Sequence, residues 1–141
     1  MKSLFILLLL LAAYALLAGG CTSQPPARAQ ADFDSTFTLE TDMKDGRMVF
    51  VGIGGEIDGV VNPDLNVRRG DMVQFVLVNG DGMPHDLAVP ELKIHTDVIM
   101  TEGDTAEVVA EINQAGQYSY YCTIAGHRQA GMEGNLIVSE P

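Results

Sequence analysis

Apolar and polar residues alternate along most of the chain from residue 35 onward, in short runs separated by turn residues. The clearest run is Thr105 to Ile112, in which every second residue is apolar and only Val109 breaks the alternation. Because successive side chains of a strand point to opposite faces, such a run predicts one buried and one solvated face. The predicted strands are Ser35 to Thr41, Arg47 to Gly52, Leu65 to Val67, Met72 to Asn79, Asp86 to Val89, Thr105 to Ile112, Gln117 to Cys122 and Asn135 to Ser139.

Helical periodicity is weak in this part of the chain. No stretch repeats apolar residues every 3.6 positions for long, so any helix is short, and residues 91–100 are the candidate stretch. Many short strands separated by Gly-containing turns are typical of sandwiches and barrels. The prediction is an all-β domain over residues 38–141, folded as a Greek-key antiparallel β-sandwich or barrel of seven to eight strands.

The first 20 residues have the pattern of an export signal. Lys2 precedes an apolar run from Leu4 to Leu17, which is short for a transmembrane span, and small residues then lead to Cys21. The small-small-Cys ending resembles the lipobox of bacterial lipoproteins, which implies that Cys21 carries a lipid; a plain signal peptide or an uncleaved anchor is the alternative. Residues 21–37 are predicted to be the lipidated N-terminus and a flexible tether.

The chain is acidic, with 19 Asp and Glu against 8 Lys and Arg and a formal net charge of −11. Nucleic acid is disfavoured as a partner, because binding it depends on Lys and Arg that neutralise phosphates. The acidic surface serves solubility or attracts a basic partner.

The two cysteines of the chain are expected to have different roles. If Cys21 is lipidated, Cys122 has no partner for a disulfide. Cys122 begins a Cys-x4-His-x4-Met loop, which brings its thiolate near the imidazole of His127 and the thioether of Met132. With a second imidazole from His85, which follows a turn, these residues form the His2Cys set with an axial Met that is typical of type 1 blue copper.

Each of these residues also has a simpler interpretation when it is taken alone. A single Cys is often a buried structural thiol, a single His a hydrogen-bonded imidazole and a single Met part of the core. Zinc uses the same kinds of donor, but structural zinc sites prefer more Cys or His. The remaining imidazole, His95, is interpreted as a surface residue. One copper ion accounts for the four predicted ligands together.

The sequence also resembles the cupredoxin family, particularly the auracyanin-like carriers and the blue-copper domain of copper nitrite reductases. The resemblance covers about residues 38–139 and rests on Pro84-His85-Asp86-Leu87, on the approach from Gly116 to Cys122 and on the Cys-x4-His-x4-Met loop. It implies that His85, Cys122 and His127 are strong equatorial ligands and that Met132 is the weak axial ligand. It also implies that His127 conducts the electron.

Two positions differ from the copper nitrite reductases. Those enzymes have a His immediately before the cysteine, for a second, catalytic copper, where this chain has Tyr121. Pro90 stands where a further His is expected. The resemblance therefore implies a carrier and not an enzyme.

Together these features predict a monomeric single-electron carrier whose copper cycles between Cu(I) and Cu(II). It is expected in the periplasm or at the cell surface, anchored to the membrane through Cys21, with redox proteins such as a cytochrome or a membrane oxidoreductase as donor and acceptor. These partners are expected to dock on an apolar rim around His127 that includes Pro84, Ile124 and Ala125. The alternatives are an electron-input subunit or fragment of a copper nitrite reductase or multicopper oxidase, and a copper-binding chaperone.

Overall fold

The structure is a computed structural model that describes residues 32–141. The predicted signal peptide, Cys21 and most of the predicted tether lie outside the described residues. No helix within residues 32–141 is both long and apolar enough to cross a membrane.

Nine strands in two sheets form the described part of the chain. They are β1 (Ser35–Lys44), β2 (Arg47–Ile53), β3 (Leu65–Arg68), β4 (Met72–Val78), β5 (Ala88–Val89), β6 (Ile94–His95), β7 (Thr105–Glu111), β8 (Gly116–Tyr121) and β9 (Glu133–Ser139). The first sheet has the order β2-β1-β4-β7 and the second has the order β3-β9-β8-β5-β6. Two short 3₁₀ helices, Gly55–Ile57 and Pro90–Leu92, are the helical elements of residues 32–141.

The predicted all-β sandwich is confirmed, and each of the eight predicted strands is present with small changes at its ends. The ninth strand, β6, was not predicted. It lies in the stretch 91–100, where a short helix was expected and where only Pro90–Leu92 is helical. With two residues, β6 is too short to give a readable alternation.

The prediction that pairing is antiparallel throughout is wrong for two pairs of strands. β1 and β4 are parallel, as are β3 and β9, while the other neighbours are antiparallel. Neither parallel pair is consecutive along the chain, so no tight hairpin forces the two strands to run in opposite directions. Local alternation reports which face of a strand is buried, but it carries no information on the direction of a distant neighbour.

The core lies between the two sheets and follows the predicted alternation. Along β7, Ala106, Val108 and Ala110 are half-buried while the residues between them are exposed, including Val109. In β8 the ring of Tyr120 is fully buried against Phe50, with ring centroids 5.5 Å apart. Burial of each such large side chain stabilises the fold by about 1.5–3 kcal/mol.

Candidate metal centre

Three predicted ligand residues meet in the interior, in the connections that follow β4 and β8. The Sγ of Cys122 lies 3.5 Å from the Nδ1 of His127 and 3.9 Å from the Nδ1 of His85. The two Nδ1 atoms lie 3.3 Å apart. All three residues are buried. Among the His, Cys, Asp and Glu side chains of residues 32–141, these three form the one group whose donor atoms are close enough to share a metal ion.

The spacing of these three atoms fits a single metal ion. The three distances form a triangle whose corners all lie about 2.1 Å from its centre, close to the usual metal–nitrogen and metal–sulfur bond lengths. Two imidazoles and one thiolate in a plane are the donor set that selects copper in a trigonal site.

The loop that carries Cys122 and His127 is closed by its own backbone. The N–H of Met132 donates to the carbonyl of His127 at 3.1 Å, and the N–H of Cys122 is directed at the carbonyl of Met132 at 3.3 Å. Gly126 and Gly131 have φ angles of 88° and 113°, in a region that L side chains rarely adopt. The two glycines therefore allow the chain to turn within ten residues so that cysteine and histidine face each other.

A side chain from outside the loop fixes it to the first sheet. The Nδ2 of Asn62 donates to the carbonyl of Gly131 at 2.8 Å, and the Oδ1 of Asn62 accepts from the N–H of Phe50 in β2 at 2.9 Å. The ligand loop is thereby tied to both sheets. Sequence reasoning did not identify Asn62, because a lone Asn in a connection has the composition of any turn.

Met132, the predicted axial residue, ends the same loop. Its side chain is fully buried and belongs to the same core cluster as Cys122. Its backbone closes the loop, so Met132 is held by hydrogen bonds to the backbones of Cys122 and His127. Its role as a ligand stays a prediction.

His85 is held by a strand-like bridge and by a carboxylate. Its backbone exchanges two hydrogen bonds of 2.9 Å with Ile99. Its Nε2 lies 2.9 and 3.1 Å from the two carboxylate oxygens of Asp81. A proton on Nε2 leaves the lone pair of Nδ1 free for a metal, as required for a ligand.

A second buried carboxylate, Asp86, supports the cysteine side of the cluster. Its oxygens accept hydrogen bonds from the backbone N–H of Thr123, at 2.6 Å, and from the hydroxyl of the same residue. The Nε2 of His95 lies 2.8 Å from Asp86, and the imidazole is 55% exposed, in agreement with its interpretation as a surface residue. Burial alone would raise the pKa of Asp86, but the hydrogen bonds from His95 and Thr123 outweigh it and lower the pKa from its usual value.

Sequence reasoning missed both Asp81 and Asp86 as supports of the site. Asp81 was grouped with the turn residues before His85, and Asp86 was placed at the start of a strand. The available signal was a carboxylate four residues before one predicted ligand and another directly after it. Such spacings are common in turns, so the pairing becomes visible only in three dimensions.

The protonation states of the cluster follow from its burial. Burial raises the pKa of the Cys122 thiol to about 11. Burial, together with the neighbouring His85, lowers the pKa of His127 from its usual value. In the metal-free protein at neutral pH, the thiol therefore keeps its proton, while the His127 imidazole is neutral and ready to bind a metal.

We expect copper binding to release the Cys122 proton, because the thiolate is the form that binds a metal. The thiol stays protonated until the pH approaches its pKa of about 11, so each rise of one pH unit below that value raises the thiolate fraction tenfold. The apparent Cu(II) affinity should therefore rise about tenfold per unit between about pH 7 and pH 9. Titration with a competing chelator at several pH values checks this slope. An affinity independent of pH would contradict thiolate binding.

Pro84, Ile124 and Ala125 were predicted to form an apolar rim around His127, and this rim stays a prediction. Pro84 and Ala125 are exposed, Ile124 is half-buried, and His127 itself is 7% exposed, compared with 0% for His85. Of the two clustered imidazoles, His127 is therefore the one that approaches the surface.

Tyr121, which directly precedes Cys122, packs against Arg128. The guanidinium of Arg128 lies 3.9 Å from the centre of its ring, and the same guanidinium pairs with Glu133, with Nε 3.0 Å from a carboxylate oxygen. This stack of aromatic, cation and carboxylate orders the outer side of the ligand loop.

A β-sandwich with a buried His2Cys cluster at one end is typical of a mononuclear copper-binding protein. The chain belongs to the plastocyanin/azurin family of copper binding proteins, whose family model matches residues 37–139. The predicted cupredoxin resemblance and the predicted copper cofactor are thereby confirmed, and the cluster is compatible with a single type 1 copper.

The chain is also similar to an individual copper protein over part of its length. The chain is 31% identical over 93 residues to the copper-resistant cuproprotein CopI of Rubrivivax gelatinosus, an alignment that covers 52% of this chain and 56% of the relative. The chain thus spans about half the length of that relative.

Solved structures agree on the fold. Auracyanin B matches with a TM-score of 0.55 and 18% identity over 77% of this chain and 91% of its own. Rusticyanin from Thiobacillus ferrooxidans gives a TM-score of 0.57 and 21% identity over 77% and 79%. The copper nitrite reductase of Nitrosomonas europaea gives a TM-score of 0.56 and 21% identity over 75% of this chain and 41% of its own.

Proposed function

We propose that this protein is a single-electron carrier with one type 1 copper, which His85, Cys122 and His127 would hold as strong ligands and Met132 as a weak ligand. The observation that carries the proposal is the convergence of three buried donor atoms on a common centre at metal-bond distance. When bound, the copper accepts and gives up one electron.

The framework around the cluster suits rapid electron transfer. The loop is tied to both sheets through Asn62, and His85 is fixed by Ile99 and Asp81. Ligands that stay in place while the charge of the metal changes reduce the rearrangement that each electron transfer requires. A site with mobile ligands would be better suited to taking up and releasing copper.

The electron is proposed to enter and leave the copper site through His127. His127 is the clustered imidazole nearest to the surface, and the exposed Pro84 and Ala125 are proposed to form part of an apolar rim around it. Such a rim favours a small, short-lived interface with a redox partner. The partners proposed are a donor and an acceptor protein, such as a cytochrome or a membrane oxidoreductase, and the carrier is proposed to act as a monomer.

We expect the acidic chain to attract a basic partner, so that the rate of electron transfer falls as salt is added. With a net charge of −11, the attraction should weaken as the Debye length shrinks from about 30 Å at 0.01 M salt to about 10 Å at 0.1 M. Stopped-flow rates with a cationic and an anionic redox complex check this: the first should fall with salt and the second should rise. Rates indifferent to salt in both cases would contradict steering.

We also propose that the protein is exported and attached to a membrane. The signal-like residues 1–20 and the lipobox-like ending at Cys21 support a periplasmic or cell-surface protein with a lipid anchor. Membrane association of the full chain, and its loss in Cys21→Ser, is the expected result on cell fractionation. Equal distribution of the two proteins would exclude the anchor.

Electron transfer is favoured over catalysis by the residues near the cluster. Tyr121 and Pro90 occupy the positions where nitrite reductases hold ligands of the catalytic copper, and Tyr121 is stacked against Arg128. A second copper per chain, or nitrite turnover by the isolated protein, would support the enzyme-subunit alternative instead.

A role in copper resistance is the second candidate function, because the relative from Rubrivivax gelatinosus is described as a copper-resistant cuproprotein. A protein that stores or delivers copper should lose Cu(I) rapidly to a mild chelator. A carrier with the fixed ligands described above should retain it through many cycles of oxidation and reduction.

A further inference from the structure

The loop before His85 contains a carboxylate, that of Asp81, which contacts the buried His85 ring at the nitrogen that does not face Cys122. Both oxygens of Asp81 lie within hydrogen-bond distance of Nε2 of His85, at 2.9 and 3.1 Å. The side chain of Asp81 is 10% exposed and that of His85 is 0% exposed, so water screens this contact poorly.

Several groups hold the Asp81 carboxylate in this position. Its Oδ1 accepts the backbone N–H of Met83 at 3.0 Å, and the hydroxyl of Thr41 in β1 lies 3.5 Å from the same oxygen. The backbone N–H of Asp81 donates to Oδ1 of the buried Asn79 at 3.2 Å. Gly80 permits the close approach of this loop to β1, because a Cβ there would clash with the carbonyl of Thr41. The carboxylate is therefore built into the fold.

The two clustered imidazoles, His85 and His127, differ in whether a carboxylate contacts the ring. Within residues 32–141, the His127 ring makes its side-chain contacts through Nδ1, to Cys122 and His85, and its Nε2 has no hydrogen-bonding side chain. The charged support is thus confined to His85, the imidazole that is farther from the surface.

We propose that Asp81 is a positioning residue that sets the reduction potential of the site through His85. This inference rests on the proposed copper ligation by His85. The carboxylate keeps the proton on Nε2, which presents the lone pair of Nδ1 to the metal, and it makes the imidazole a stronger electron donor. A stronger donor favours Cu(II) over Cu(I), so Asp81 lowers the potential.

Two variants and a matched control test this proposal. Asp81→Asn keeps an acceptor oxygen but removes the charge, while Asp81→Ala removes both. Glu102→Gln is the matched control. Glu102 is an exposed acid near the loop that carries Asp81: its Cβ lies 3.8 Å from where a Cβ on Gly82 would be. Its side chain makes no hydrogen bond to His85, Cys122 or His127. The control changes the net charge equally at a nearby site.

In the copper-loaded protein, Asp81→Asn should lower the ratio of Cu(II) to Cu(I) affinity at least tenfold, which raises the potential by about 59 mV or more. Glu102→Gln should shift the potential by less than a third of that amount. Equal shifts in the two variants would overturn the proposal, because they would mean that any nearby charge acts in the same way.

A second measurement uses the metal-free protein. Nitrogen-15 NMR of the wild-type His85 ring should show the proton on Nε2, protected from exchange with water, and Asp81→Ala should lose that protection. A proton on Nδ1 in the wild type would overturn the proposal even if neither variant folds. If the NMR result is as expected but copper does not bind at His85, the proposed function fails while the Asp81–His85 contact stands, so the two failures are distinguishable.

Discussion

Cys122→Ser should abolish the intense visible absorption of the copper-loaded protein and reduce its rate of one-electron exchange more than about 100-fold. The absorption arises from charge transfer between a thiolate and Cu(II), and a serine hydroxyl is a hard donor that stays protonated near neutral pH. Serine has nearly the same size as cysteine, so the buried site should keep its shape. The loss therefore reports the sulfur itself and not a change in packing. Absorption spectroscopy and protein-film voltammetry measure the two effects.

Cys21→Ser is the matched control, since it removes the other cysteine of the chain. It should retain the full absorption and the full exchange rate, whatever its effect on membrane attachment. Persistence of the intense band in Cys122→Ser would mean that another sulfur binds the metal, and the proposed site would then be wrong.

His85→Ala and His127→Ala should each lower the copper affinity more than about 100-fold, because each removes one of two nitrogen donors. The two variants should differ in the stability of the metal-free protein. His85→Ala removes the imidazole that donates to the nearly buried Asp81, and loss of a hydrogen bond to a charged group costs about 1.5–3 kcal/mol. His127→Ala leaves no carboxylate unpaired, so its loss of stability should be smaller.

His95→Ala is the control for these two variants, because His95 is the third histidine of the chain and lies outside the cluster. It should bind one copper per chain with an unchanged absorption band. Competition with a chelator and urea unfolding of the metal-free proteins give the affinities and stabilities. Equal loss of affinity in all three variants would show that histidines act non-specifically, and equal stability of His85→Ala and His127→Ala would contradict the importance of the Asp81 contact.

The alternation of side chains predicted the strands well, because burial of one face leaves a period of two in the sequence. In β7, even the exception at Val109 is exposed in the structure. The parallel pairs β1–β4 and β3–β9 were not predictable in this way. Their partners are separated by two or more other strands, and only the complete fold brings them together.

The candidate ligands were predictable from two kinds of signal. Cys122, His127 and Met132 are close in sequence, and their spacing alone indicates a metal-binding loop. His85 is remote, and it was assigned because the donor set needs a second imidazole. The structure places it 3.9 Å from the sulfur, which sequence reasoning has no means to give.

The supports of the cluster were not predictable. Asp81, Asp86 and Asn62 are residue types that turns commonly contain, and their usual role is to satisfy the local backbone. Here they bond to His85, to Thr123 and to the loop end at Gly131, respectively. Their function depends on side chains that are distant in sequence or whose direction is set by the fold.

A titration of the metal-free wild-type protein with Cu(II), followed by visible absorption, tests the central claim most directly. The structure predicts that an intense thiolate-to-copper band grows linearly and stops at one copper per chain, since one His85–Cys122–His127 centre is present in residues 32–141. Weak absorption without a thiolate band, at any amount of copper, would show that the three donors do not share the ion and would contradict the proposed electron carrier.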